Sequence, residues 1–509
     1  MGSHLWPESR LELYKLDPQV PVHRLTIVQV ALQLGVYAYY VWFHPFSKFP
    51  GPPLSKIFNL PWLYTTLIKG NGPKSLLGLH QKYGKIVRLG PNHLAIDGSI
   101  GFPQVFGNRK VDHPKQANYF LDFPDSIIGS NTEVHRRQRR QLNPAFSESA
   151  LKEQEPTIWR SVDLLLEKVG EKEASGESVN IVEWVNFTIF DIIGDLMFAE
   201  TFHSLERSGY HPWVQSIFTG VRMASIARFL RWYIPNCVLV MCMHLSGVMK
   251  LVHQNRAFAK QRSQARMDIG AVPEEGRRDF MTYMMRKDRN GEGLSETEIF
   301  ANSPLIVGAG SETSATALAG LFFHLAQTPW AYKAVTDEIR TKFSSTDEIN
   351  AQRVSSLEYL IVCIDETLRI YPPVCESPPR ESTADTVVDG NFFPKGAIIT
   401  VSHYATYHNP DNFSEADSFR PQRWFPPGHP LYEEKFKNDN KAAFKPFSFG
   451  NRECLGQKLA HAEMRILAAR FLYRFDFELC RNQENWDDQL AWVIWNKGPL
   501  NLVLRRREG

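Results

Sequence analysis

After residue 150, apolar residues recur at three- and four-residue spacing through most of the chain, the pattern of helices that bury one face. Short apolar runs bounded by turn residues occur in three places. They are KIVRLGPNHLAID (85–97), DTVVDGNFFPKGAIITV (385–401) and WVIWNKGPLNLVL (492–504). The pattern therefore predicts a mainly α body with small peripheral β-sheets (α+β). Ser295 and Glu298 form a capping-box pair and Pro329 is a stop, predicting between them a helix of about 32 residues, or about 48 Å. Pro304, Gly308 and Gly310 predict a kink or an open hydrogen bond in its middle. The polar stretch 263–295 predicts surface loop and short helix.

Leu25 to Phe43 reads LTIVQVALQLGVYAYYVWF, a run without formal charge that is long enough to cross a hydrocarbon core of about 30 Å as a helix. Tyr37, Tyr39, Tyr40 and Trp42 cluster at its C-terminal end, where amphipathic rings favour the headgroup layer. Pro50, Pro52 and Pro53 then predict a stiff hinge that forbids a continuing helix. No repeat or long linker divides the remainder. The expected organisation is a tail (1–24), a single-pass transmembrane anchor (25–43), a proline-rich hinge (44–56) and one domain (57–509).

The chain has 509 residues and is 43% hydrophobic, enough for a large core, and its net charge of +3 excludes dominance by a nucleic-acid-binding face. Six cysteines, none in a C-x-x-C pair, are too few for a disulfide scaffold. Cys237, Cys242, Cys363, Cys375 and Cys480 read as small buried hydrophobes. Cys454 differs, because it lies in PFSFGNRECLG (446–456). There Gly450 and Gly456 are expected to allow close backbone approach to a flat ligand, while Arg452 and a helix starting after the cysteine favour a thiolate. The nearest histidine, His461, is not at zinc spacing, so a single thiolate ligand suits a haem iron better.

This loop resembles the haem-binding signature of the cytochrome P-450 monooxygenases, and the motifs from the proline hinge to the C-terminus follow the family's order. The resemblance implies that Cys454 is the metal ligand of haem b, with Phe447, Gly450 and Gly456 shaping its loop. Glu366 and Arg369 share one helix face by their spacing. They match the family's E-x-x-R helix, and FRPQRW (419–424) supplies Arg423 as the third member of a structural network, with Gln422 where the family often has Glu. Ala309, Gly310, Glu312 and Thr313 match the family's A-G-x-(D/E)-T stretch, implying an acid and a hydroxyl that organise proton delivery to dioxygen. Arg139, Arg380 and Arg452 match propionate-binding arginines, and His135 stands where the family has tryptophan. With His135 protonated, residues 135–140 would hold five cations. Arg136, Arg137, Arg140, Lys445 and Lys458 remain as a docking patch for an acidic electron donor.

The implied activity takes electrons from a separate NADPH-dependent cytochrome P-450 reductase. One atom of O2 enters an apolar small molecule, by hydroxylation or epoxidation, and the other leaves as water. The family reading also implies an endoplasmic-reticulum membrane protein in contact with lipid, its catalytic domain cytosolic. FPGPPLSK, WVNFTIFDIIGDLMFAETF (184–202), YHPWV (210–214) and DFMTYMMR (279–286) are similar to filamentous-fungal members that tailor terpenoids, polyketides and alkaloids. Expected substrate contacts are Tyr119 to Ile128, Met223 to Val240, Ile306, Ala309 and Val374 to Ser377. Two other readings compete. A same-fold isomerase or dehydratase would need no reductase, and Thr313 beside Glu312 argues against it. An NAD-dependent oxidoreductase would use GAGSET as a phosphate loop, but its third glycine is replaced by Thr313 and no acid follows Glu312 before Asp337.

Overall fold

The computed structural model describes residues 22–116, 119, 124–271, 276–289 and 291–507. Ten helices organise it: α1 (Val22–Ala38), α2 (Thr132–Leu142), α3 (Glu148–Ala174), α4 (Ile181–Phe198), α5 (Pro212–Arg231), α6 (Asn236–Leu245), α7 (Val248–Asp268), α8 (Glu296–Gln327), α9 (Glu358–Ile370) and α10 (Gln457–Arg474). Helix α8 crosses the interior, packing most extensively on α4 and also on α7, α9 and α10. Its first turn carries the full capping box, with the Ser295 hydroxyl accepting from Glu298 N–H and the Glu298 carboxylate accepting from Ser295 N–H.

The weak stretch of α8 does not end the helix, although Pro304 has no N–H to give and so leaves the Phe300 carbonyl without its helical donor. The helix is continuous through Pro304, Gly308 and Gly310, and the Thr313 hydroxyl donates to Ala309 O at 2.8 Å. Packing on several sides holds the turn closed despite the weak local propensity. The sheets lie at the periphery. β1 (Ile86–Gly90) and β2 (His93–Ile96) pair antiparallel, with Val87 opposite Ala95. β3 (Val179–Asn180) belongs to a second sheet, and β4 (Arg380–Glu381) is an edge of the first. β5 (Thr386–Val388) and β6 (Asn391–Phe393) form a hairpin whose two turn residues, Asp389 and Gly390, both take positive φ, as such turns require. β7 (Ile398–Thr400) completes the order β1-β2-β7-β4, running parallel to β2.

The proline segment is docked rather than loose. Phe46 and Phe49 are buried against Phe393, and the buried Arg88 donates to the carbonyls of Tyr40, Gly90 and Pro91, tying the end of the N-terminal helix to the sheet. The run Thr26–Phe43 is long and apolar enough to cross a membrane, and none of its residues is buried. Helix α8 is as apolar, but 67% of its most apolar window is buried, which marks it as core. Most of the tail expected at 1–24 lies outside the described residues. Cys363 and Cys375 are buried as expected, whereas Cys237 and Cys242 are exposed on α6 beside Met241 and Leu245.

The polar stretch after α7 is pinned by a buried ion pair, in which Arg266 donates to both carboxylate oxygens of Asp279 and to Gly270 O. Replacing Arg266 with Met should leave Asp279 buried without its cation and cost about 3–5 kcal/mol. Chemical denaturation of the two proteins measures the difference.

Candidate haem-binding site

The thiolate loop runs from Pro446 to Gly456, just before α10. Cys454 N–H donates to Phe447 O at 2.8 Å, folding the loop back on itself, while the Phe447 ring packs on His461. Gly450 has φ +80°, and a Cβ there would stand 2.1 Å from Phe106 O, so only glycine fits. Gly456 has no such need: its φ is −86° and a Cβ would meet nothing nearer than 3.9 Å. Its backbone N–H instead points to the Cys454 sulfur.

Cys454 is accessible to solvent yet so deep among protein atoms that burial pushes its thiol up. Those two facts together describe the wall of an internal hollow. The Gly456 N–H, Arg139 and Lys115 oppose the upward shift. The expectation that Arg452 and the helix would by themselves favour a thiolate therefore needs correction, since burial dominates in the free thiol. Deprotonation would come with a metal, which ionises a coordinating thiol outright.

Four cations from separate parts of the chain meet at this hollow. Lys115, Arg139, Arg380 and Arg452 are close enough for their charges to act on one another or on Cys454. Arg139 donates to Glu453 O at 2.6 Å, Arg452 to Ser130 O at 3.3 Å, and Arg380 packs over the Phe106 ring. Burial, and then repulsion from Arg452, pulls Arg380 down to about 9, and Lys115 falls well below the usual lysine range. Arg380 Nε and Arg452 Nη2 are buried without a partner. A wall of crowded cations with orphaned donors calls for an anion, and the dianionic edge of haem b fits it. His135 also faces these cations, but burial and their charge hold it neutral, down to about 3, so it is not the fifth cation of its run.

Lys115 belongs to no motif that the sequence displays. It arrives by a backbone bridge to Arg380, a pairing between segments 265 residues apart that local pattern does not reveal.

On α8, Ile306, Ala309, Gly310 and Thr313 form one face by spacing, and all are accessible within a helix otherwise mostly buried. Successive residues then point three ways. Thr313 presents its hydroxyl to this accessible face. Ser314 donates to the buried Glu463 of α10 at 2.9 Å. Glu312 is buried in an ion pair with Lys497, a residue that sequence reasoning missed because it lies on the C-terminal segment.

Behind the thiolate loop, Glu366 accepts from Arg369 at 2.8 and 2.9 Å and from Arg423 at 3.2 Å, all three side chains being fully buried. Trp424 Nε1 and Arg420 N–H donate to the same carboxylate. Arg369 also donates to the carbonyls of Tyr407, Ala416 and Ser418, and Arg423 pairs with Asp439.

Other expected contacts move. Arg137 is clamped to Glu298 and leaves the docking patch, and Lys458 pairs with Glu148. Arg136 and Arg140 remain exposed, and Lys445 lies over the Phe449 ring. Met223, Tyr233, Val238 and Val240 are exposed, while Arg228 and Trp232 of the same expected stretch line a cavity. Residues 120–123 of the expected contact segment lie outside the described residues, while Ile127 N–H is fixed to Asn302 of α8. A separate cavity is lined by Trp62, Tyr119, Arg228, Trp232, Glu376 and Trp492. Burial raises the Glu376 carboxyl there to about 7, against a hydrogen bond from Thr66.

One sulfur, a cationic rim and an accessible helix face together have the chemistry that could seat a porphyrin. The chain belongs to the cytochrome P-450 family, whose model matches residues 49–504. It is thus a monooxygenase of a family that uses haem b with electrons from a redox partner. The chain is 34% identical to cytochrome P-450 monooxygenase astJ of Aspergillus oryzae over 96% of its length and 97% of the relative's. Identity is 34% with the trichothecene C-15 hydroxylase of Fusarium sporotrichioides (93% and 96% covered) and 33% with the trichothecene C-4 hydroxylase of Trichoderma arundinaceum (95% and 96%).

Glu366→Gln should remove the charge that two buried guanidiniums share and destabilise the protein by about 3–5 kcal/mol. Denaturant unfolding of the variant, compared with its haem content after expression, checks this.

Proposed function

We propose that this chain is a membrane-anchored fungal hydroxylase or epoxidase of secondary metabolism, its haem held through Cys454. The observation that carries this reading is the accessible Cys454 beside Arg139, Arg380 and Arg452, the last two with buried donors that have no partner. Haem b, when bound, supplies dioxygen activation and the oxidising power to attack an unactivated C–H or C=C bond. The protein's part is to bind, orient and deliver protons. Arg139, Arg380 and Arg452, joined by Lys115, would hold the propionates, and His135 packs beside them as a neutral ring. Glu366, Arg369 and Arg423 fix the chain segment that leads into the thiolate loop. Ala309 and Gly310 leave room on the accessible face of α8, where the Thr313 hydroxyl can hand a proton toward dioxygen.

The N-terminal helix would span the endoplasmic-reticulum membrane, and the exposed apolar face of α6, with Met241 and Leu245, would dip into the same lipid. Trp62 follows the first of these elements, Trp232 precedes the second, and both line the same cavity. An apolar substrate would then enter from the bilayer, with Glu376 and Arg228 meeting one polar group on it. The outward Arg136 and Arg140 support docking of an acidic NADPH-dependent reductase near α2.

In Cys454→Ala, the thiolate-type spectrum of the ferrous carbon monoxide complex should vanish, and an unchanged spectrum would refute the ligand role. Microsomes carrying the wild-type protein and fed sesquiterpene-, polyketide- or alkaloid-sized metabolites should yield singly oxygenated products only with NADPH, read by mass spectrometry. Turnover without reductase or dioxygen would favour the isomerase reading instead. Thr313→Ala should divert NADPH electrons from product into hydrogen peroxide, and equal coupling in both proteins would remove Thr313 from proton delivery.

A further inference from the structure

Among the described residues, Lys497 is the one cation that reaches Glu312 in a hydrogen bond, and it comes from the C-terminal segment after the hairpin of β8 (Ala491–Trp492) and β9 (Ile494–Trp495). Both side chains are buried, 5% and 6% exposed, so neither charge is stabilised by bulk water. The ammonium also donates to Thr316 at 2.5 Å, one turn along α8. Glu312 Oε1 accepts from Lys497 and, at 3.4 Å, from the Thr316 hydroxyl, while Oε2 is buried without a protein partner.

That carboxylate forms part of the wall of a half-open cavity of about 190 Å³, whose other polar walls are Asn186, Tyr210, Arg222, Asn496 and Lys497. A single water needs only about 10–15 Å³ of such space, so the chamber has room for a connected cluster. Asn186 donates to the Tyr210 hydroxyl at 2.9 Å, and its own Oδ1 is a second buried acceptor with no protein partner. Unsatisfied acceptors on two walls suit a hydrated chamber. The next residue after Glu312 is Thr313, whose hydroxyl lies on the accessible face of α8.

We propose that Lys497 is a positioning residue for proton delivery, keeping Glu312 ionised and turned to a hydrated chamber lined by Asn186 and Tyr210, from which solvent protons pass toward Thr313. This rests on the monooxygenase reading above. Each turnover consumes substrate R–H, O2, two electrons and two protons and releases R–OH and water. When protons arrive wrongly, the same two electrons and two protons leave as H2O2 and R–H is unchanged. Without Lys497, a lone buried carboxylate takes up a proton and stays neutral, and is then a poor acceptor for the next one.

The test uses the haem-loaded enzyme with its reductase, NADPH and oxygen, comparing wild type, Lys497→Met, Tyr210→Phe and Thr313→Ala. Each variant must first show the thiolate-type carbon monoxide spectrum. Lys497→Met should slow NADPH oxidation by roughly tenfold, within the scale of a lost acid–base group, raise peroxide per NADPH and change the solvent deuterium isotope effect. Tyr210→Phe should shift the last two readouts in the same direction. A second measurement needs no turnover. In thermal unfolding, Lys497→Met should lower the melting temperature, and adding Glu312→Gln should recover part of that loss. Unchanged peroxide yield and isotope effect in Lys497→Met, or no recovery in the double variant, overturns the proposal. If Thr313→Ala also leaves coupling unchanged, the reading beneath it fails as well, whereas uncoupling in Thr313→Ala alone sinks only the role of Lys497.

Discussion

A single carboxylate with no access to water holds the proximal half of this molecule in register. Glu366 binds Arg369 of its own helix, then Arg423, Trp424 and the Arg420 amide from a segment more than fifty residues later. Arg369 in turn satisfies three backbone carbonyls between Tyr407 and Ser418. Taking these ions out of water costs several kcal/mol each, which only complete hydrogen bonding and mutual attraction repay. Asp439 brings the cluster to two carboxylates and two guanidiniums, and Gln422, being neutral, leaves that balance intact. The irregular chain from 407 to 439 is thereby wrapped against α9, and it leads directly into the cysteine loop.

The opposite arrangement prevails at the rim of the hollow. There Lys115, Arg139, Arg380 and Arg452 crowd together, with Asp112 and Glu453 among the groups that offset them. Burial drives the cationic forms down, so the rim stores repulsion that a bound dianion relieves. One cluster is balanced and rigidifies the scaffold. The other is unbalanced and selects a ligand.

Helix α8 links the two regimes to the solvent chamber. It buries most of its length, but its accessible residues follow helical spacing and leave one face open. Continuity through Pro304 shows tertiary packing overriding local propensity, because neighbouring helices hold the turns that a proline and two glycines weaken. The same helix sends Glu312, Thr313 and Ser314 to an ammonium, an open face and a buried carboxyl respectively. Three neighbours on one helix thus meet three different environments.

Motifs dense in local constraint were readable from residue order. The capping box at Ser295, the short strands within 385–401, the Glu366–Arg369 spacing and the cysteine loop each depend on residues within a few positions, whose geometry the backbone fixes by itself. The mainly helical class was equally legible from periodicity. Partners brought from far along the chain were not. Lys115 at the cationic rim, Asp439 beside Arg423 and Lys497 on Glu312 carry no local signature, and their roles arise when folding places unlike charges in a dry interior. Local order determined which chemistry the chain carries, and three-dimensional proximity decided which charges meet, because electrostatic energy depends on distance and solvation rather than on separation in sequence.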